Sequence, residues 1–200
     1  PVVSDLDVSV LYAKTDPFGT QMTPQAWQTD NDPIYVWEPP VPGLDLAGYS
    51  YAFNAEPDGT VDTTATSFDV ATGSLTQLAD GKPSFSVKAV NTAGNSGKPI
   101  SIELWIDTTP PQITAYAPSP GTLLNSSSST VNASVSDAGS GVEQTTLEVL
   151  INSQSVSFQF DETAGTVTTT GQGAWKEGSN SLALRVADRV GNALAPLVWS

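Results

Sequence analysis

The sequence predicts an all-β protein of two tandem β-sandwiches, and three observations predict it. Apolar residues alternate with period 2 along the 200 residues, whereas no clear stripe of period 3.6 exceeds two turns. Ser and Thr together supply 46 residues, Gly 16 and Pro 15, which suits short strands separated by frequent turns. A strand–turn–strand segment near the middle also returns 97 residues later.

The elements follow in order from the alternation. Leu6, Val8, Val10 and Tyr12 share one face of a first strand, with Asp7, Ser9, Leu11 and Ala13 on the other. Tyr49, Tyr51 and Phe53 mark the next clear strand, followed by Phe85, Val87 and Ala89, then Ile100, Ile102, Leu104 and Ile106. In the second half the same pattern runs through Val131, Ala133 and Val135; Leu147, Val149 and Ile151; Val156, Phe158 and Phe160; and Leu182, Leu184 and Val186. Gly, Pro, Asn or Asp punctuate the intervals, as in a sandwich. Five Trp, five Tyr and six Phe fall in phase with the alternation, a pattern for which a disordered chain has no use.

The internal repeat fixes the domain organisation. Phe85-Ser-Val-Lys-Ala-Val-Asn91-Thr-Ala-Gly94-Asn95 matches Leu182-Ala-Leu-Arg-Val-Ala-Asp188-Arg-Val-Gly191-Asn192, and the offset is the length of one immunoglobulin-like sandwich. Each copy reads as a hairpin whose second strand starts after Pro99 or Pro196. Pro110 and Pro111 remove two backbone donors and favour extended geometry, so no sheet continues through them. Two domains are therefore expected, 1–108 and 109–200, joined by a short, stiff Pro-Pro linker. Eight residues lead from Pro99 to Asp107 but only four follow Pro196, so the last strand of the second domain is expected to stop midway, as in a segment of a longer array.

Composition also excludes functions. There is no Cys and no His, so a disulfide framework, a thiol nucleophile, an imidazole base and the usual zinc ligands are all missing. With 7 Lys plus Arg against 21 Asp plus Glu, the net charge of −14 repels phosphate, which argues against nucleic acid and anionic membranes. No run approaches the roughly 18 apolar residues that a membrane helix needs, so no membrane insertion is expected.

Several motifs carry a family resemblance. Ile34-Tyr-Val-Trp37-Glu-Pro-Pro, Gly48-Tyr-Ser-Tyr51, Leu78-Ala-Asp-Gly81 leading to Phe85, Asn91-Thr-Ala-Gly-Asn95 and Asp107-Thr-Thr-Pro-Pro111 make residues 27–107 resemble the fibronectin type III-like repeats of bacterial exported proteins. Val135-Ser-Asp137-Ala-Gly-Ser-Gly141-Val142, Glu177-Gly-Ser-Asn180 and the turn from Asp188 to Asn192 make residues 112–200 resemble bacterial Ig-like repeats. Phe85 stands where type III domains usually carry a Tyr, and no Arg-Gly-Asp tripeptide occurs. The resemblance implies a non-catalytic spacer or adhesion module of a cell-surface or secreted multidomain protein. Its partners would be neighbouring sandwich domains of the same parent chain, with surface glycans or a host or cell-surface protein as further candidates, and the chain itself is expected to be a monomer. A fold resemblance supplies no ligand.

Four sets of residues remain as candidate chemistry. The acid pairs Asp30/Asp32 and Asp161/Glu162 sit among polar turn residues, which do not desolvate a general acid, and read as solvated surface. Oxygen-rich turns suit calcium instead. In immunoglobulin topology the loops bearing Asp137 and Asp188 lie at the end where the linker enters, so Asp80, Asp107, Asp137 and Asp188 form a candidate interdomain calcium set; no other cofactor is expected. The competing reading has each Asp accept its own turn's amides, with Arg189 as counter-ion. Trp37 belongs to the core, whereas Trp27 and Trp175 lie in loops and are the candidate sugar platform, the alternative being a carbohydrate-binding accessory module of a secreted polysaccharide-degrading enzyme. The sequons Asn125-Ser-Ser and Asn132-Ala-Ser read as chance tripeptides in a Ser/Thr-rich chain.

Overall fold

The computed structural model describes residues 4–40, 45–124, 129–170 and 174–200. It divides into Pro1–Thr108 and Thr109–Ser200. The sequon at Asn125 lies outside the described residues. Among these residues no helix is long and apolar enough to cross a membrane.

In the first unit, β1 (Leu11–Lys14), β3 (Ile34–Trp37) and β5 (Ser67–Asp69) form one antiparallel sheet; β4 (Leu46–Phe53), β6 (Ser84–Asn91) and β7 (Ile100–Glu103) form the other. A short parallel pair, β2 (Trp27–Gln28) and β8 (Trp105–Ile106), adds to them. The apolar faces meet in an aromatic core centred on Phe85. Its ring stacks on Tyr35 at 4.2 Å and meets Phe53 edge-on at 5.1 Å, while Trp37 packs edge-on against Tyr49 at 5.4 Å. Aromatic pairs of this kind add to the area they bury.

Two departures from simple alternation have local causes. The first strand begins at Leu11, not Leu6, because Ser4–Leu6 forms a 3-10 turn. That turn shifts the phase: Leu6 and Val8 are buried as expected, but Ala13 takes the next core position and Tyr12 is only half-buried. Strand β6 is buried on both faces, including Ser86, Lys88 and Val90. It lies between β4 and β7, and the loop after β4 brings Gly59 so near that a Cβ there would lie 3.8 Å from the Lys88 ammonium. There the Gly59 N–H donates to Ser50 Oγ at 3.1 Å and the Tyr51 N–H to Asp62 Oδ2 at 2.9 Å. A strand covered on both sides cannot show clean alternation.

In the second unit, β9 (Gln112–Ala117), β10 (Asn132–Ser136), β14 (Thr166–Thr169) and β13 (Phe158–Asp161) build one sheet in the order β13-β14-β10-β9. The other, in the order β12-β11-β15-β16, contains β11 (Glu148–Ile151), β12 (Gln154–Ser155), β15 (Leu182–Arg185) and β16 (Leu197–Trp199). The core here is mainly aliphatic: Val131, Val149, Ile151, Val167 and Leu184 are buried between the sheets, with Trp199 at one end. Each residue of β16 pairs with β15, and Trp199 closes the end by donating Nε1–H to the Pro118 carbonyl at 2.8 Å.

These cores predict opposite responses to two aromatic substitutions. Phe85→Ala opens a cavity among five rings and should destabilise the first unit by about 3–5 kcal/mol. Tyr35 buries a hydroxyl that makes no hydrogen bond among the described residues, so Tyr35→Phe should be neutral or stabilising. Denaturant unfolding of both variants checks the contrast.

Candidate functional site

The repeated motif forms the same turn twice. After β6, Asn91 Oδ1 accepts the Ala93 and Asn95 N–H groups at 3.1 and 2.8 Å, and the Gly94 N–H donates to the Asn91 carbonyl. Beyond β15, Asp188 Oδ1 accepts the Val190 and Asn192 N–H groups at 3.0 and 2.8 Å, and the Gly191 N–H donates to the Asp188 carbonyl. Gly94 and Gly191 sit at φ +77° and +96°, a region that other residues enter at a cost. A short side-chain oxygen thus satisfies amides that the strand reversal takes out of the sheet.

Asp137 builds a third turn of this kind. Its Oδ1 accepts the Gly139 N–H at 3.0 Å and the Gly141 N–H at 2.7 Å. The Arg189 N–H donates to the Gly141 carbonyl, and Val142 bridges to Asp188, which brings the two acidic turns of the second unit side by side. A carboxylate oxygen of Asp137 and one of Asp188 come within 4.8 Å of each other. Asp188 is buried at 2% exposure and also accepts Asn192 Nδ2–H on Oδ2 at 2.6 Å. The Arg189 guanidinium, offered by the sequence as their counter-ion, forms an ion pair with Glu162. Hydrogen bonds from Thr145 hold the neighbouring Glu143 carboxyl below its ordinary value, and the charge of Arg189 adds to this. Those hydrogen bonds are therefore intact above the usual glutamate range and weaken as acid protonates Glu143.

The candidate acids of the first unit are held differently. Asp80 Oδ1 accepts both the N–H and the hydroxyl of Thr108, at 3.0 and 2.8 Å. Asp107 is buried, and its N–H donates to the Gln28 carbonyl at 2.9 Å. Of the acid pairs, Asp30 departs from the expected solvated surface: it accepts the Asp32 N–H and burial raises its carboxyl, while Asp161 accepts the Thr163 and Ala164 amides.

Neither candidate tryptophan stands alone. Trp27 is half-buried in β2 against Trp105, with ring centroids 5.4 Å apart at 57°. The Lys82 ammonium lies 4.0 Å from the Trp105 centroid, and Trp105 Nε1–H donates to Glu103. Trp175 is half-buried and donates Nε1–H to the Ser129 carbonyl at 2.9 Å. Sequence reasoning missed the grouping of Trp105, Lys82 and Glu103 with Trp27; the parallel pairing that creates it leaves no periodic signal.

No family model matches the chain, and no curated protein matches it. Among solved structures it is similar to the fibronectin(III)-like modules of Clostridium thermocellum CbhA, at 13% identity over 86% of this chain and 85% of that one, with a TM-score of 0.36. It is similar to the D00-D0 domain of intimin at 12% identity, over 96% and 100% of the two chains, with a TM-score of 0.40. The human desmocollin-1 ectodomain is similar at 15% identity, over 87% of this chain and 34% of that one, with a TM-score of 0.40.

The twin turns separate acceptor from charge. Because Asn91 builds its turn without a charge, Asp188→Asn should preserve the second unit's fold, whereas Asp188→Ala should cost about 1–2 kcal/mol by orphaning two amides. Equal losses in the two variants, measured by thermal unfolding, would contradict this.

Proposed function

We propose that the chain is a non-catalytic structural spacer and adhesion module of an exported, extracellular bacterial multidomain protein. One observation carries the reading: the same amide-capping turn, at Asn91 and at Asp188, closes a hairpin in each of two separate sandwiches. Duplication of a whole module is how extended arrays are assembled, and it leaves each unit with its own core. One acid of each sequence-adjacent pair, Asp30 and Asp161, serves as an acceptor for turn amides. The partners in this reading are neighbouring domains of the parent chain, with a surface glycan or a cell-surface protein as the adhesive ligand.

Calcium is the one cofactor kept in this proposal. Asp137 and Asp188 place hard oxygen ligands within 4.8 Å of each other in half-buried and buried positions, where two like charges favour a divalent cation. Asp80 and Asp107 remain its candidates from the first unit on the sequence argument alone.

Pulling the chain from its two ends in a force spectrometer tests the modular reading. Two separate unfolding events are expected, each releasing roughly 300 Å of chain. A single event, or turnover of any substrate in a broad glycoside panel, would overturn it. Calcium is tested separately by thermal unfolding with the ion and with chelator. Saturating calcium should raise the midpoint by several degrees, and Asp188→Asn, which keeps the turn, should abolish the rise. An unmoved midpoint removes the cation and leaves the spacer reading standing.

A further inference from the structure

On the premise of the adhesion reading above, we infer that the cleft formed by residues 118–124 and 175–182 of the second unit is a subsite for a neutral, hydroxyl-rich oligosaccharide. The cleft has a volume of about 930 Å³, within the roughly 300–1,000 Å³ of small-ligand sites. Buried Leu182, the Trp175 indole and the fully exposed Leu123 give it apolar surface. Thr122, Lys176 and Glu177 add polar groups.

Both walls are pinned by their own hydrogen bonds. Asn180 organises one: its Oδ1 accepts the Lys176 N–H at 2.8 Å, and its Nδ2–H groups donate to the carbonyls of Lys176 and Gly178 at 2.9 and 3.0 Å. Asn152, just after β11, donates from Nδ2 to the same Oδ1 at 2.7 Å and to the Ala174 carbonyl at 2.6 Å, which ties this turn to the sheet. The Trp175 indole is held by its bond to the Ser129 carbonyl. In the other wall, Thr122 donates its N–H and its hydroxyl to the Ser119 carbonyl at 3.2 and 2.6 Å, and the Pro118 carbonyl accepts Trp199 Nε1–H. Groups already in place lose less entropy when a ligand binds.

The groups left over select the ligand. Among the described residues neither the Lys176 ammonium nor the Glu177 carboxylate makes a hydrogen bond or an ion pair. Side by side in one turn, they favour neither sign of charged ligand: an anion meets Glu177 and a cation meets Lys176. A hydroxyl suits both, because it accepts from an ammonium and donates to a carboxylate. The indole supplies apolar surface for the C–H face of a sugar ring. An extended peptide is disfavoured, since strand addition uses free backbone groups and Asn180 takes the N–H and carbonyl of Lys176 and the carbonyl of Gly178. The indole pair of the first unit already holds a cation of its own: the Lys82 ammonium lies 6.0 Å from the Trp27 centroid and 4.0 Å from that of Trp105.

Calorimetric titration of the 200-residue chain tests this, with β-linked hexasaccharides of glucose, xylose, mannose, galactose and N-acetylglucosamine as probes. Hexagalacturonate and fully deacetylated chitohexaose serve as the anionic and cationic controls. At least one neutral chain should bind about tenfold more tightly than both controls, with amide shifts confined to residues 118–124 and 175–182. Trp175→Phe keeps a ring and should hold affinity within about threefold, whereas Trp175→Ala should weaken it about tenfold. Because Trp175→Ala also loses the bond to Ser129, Lys176→Met and Glu177→Gln provide a second readout at exposed positions. Each should weaken binding about fivefold at an unchanged melting temperature. Preference for a charged chain, shifts around Trp27 and Trp105, indifference to both exposed substitutions, or no binding across the panel would each overturn the subsite. None of these outcomes touches the spacer reading, which fails instead on a single unfolding event under force.

Discussion

A β-hairpin ends where its backbone amides leave the ladder, and the way those amides are satisfied organises much of this molecule. A buried or half-buried N–H without an acceptor costs as much as a hydrogen bond is worth. Asn91, Asp137 and Asp188 each put one oxygen where two such amides converge. The strands that follow are thereby set in register: Val87 with Ile100 after the Asn91 turn, and Leu184 with Leu197 after the Asp188 turn. Register in turn decides which side chains face inward, so the cores rest on a few polar atoms at their ends.

The two units reach burial differently. In the first, rings around Phe85 fill the space between the sheets, and an additional loop seals the outer side of β6, placing even Lys88 at 9% exposure. The second relies mainly on Val, Ile and Leu, and its two edge strands meet through the Tyr116 and Trp199 rings, 4.7 Å apart. Several acids sit at turns, where backbone amides share their charge: Asp137 and Asp188 in the second unit are examples.

Most of the fold was legible because strands announce themselves by period. The runs at Val131, Leu147 and Leu182 are core strands as read, and Trp37 is a core residue as its position implied. What misled the reading was local. The 3-10 turn before β1 moves the phase by one position, and the cover over β6 hides the alternation from Phe85 to Val90. The candidate site was legible only in part. Asp137 and Asp188 are neighbours because loops at one end of a sandwich converge, which topology supplies once the strands are ordered. The union of Trp27 with Trp105 needs a parallel pair of residues 78 positions apart in sequence, and no pattern within either segment encodes it.

That union has an optical consequence. Two indoles held 5.4 Å apart at a fixed 57° tilt couple their electronic transitions, and a lysine ammonium above one of them perturbs its energy levels further. The couplet in the near-ultraviolet exists only while β2 lies alongside β8. The chain therefore contains an intrinsic, label-free reporter of whether that seam of the first unit is closed, superimposed on the signal of Trp175 and Trp199 in the second unit.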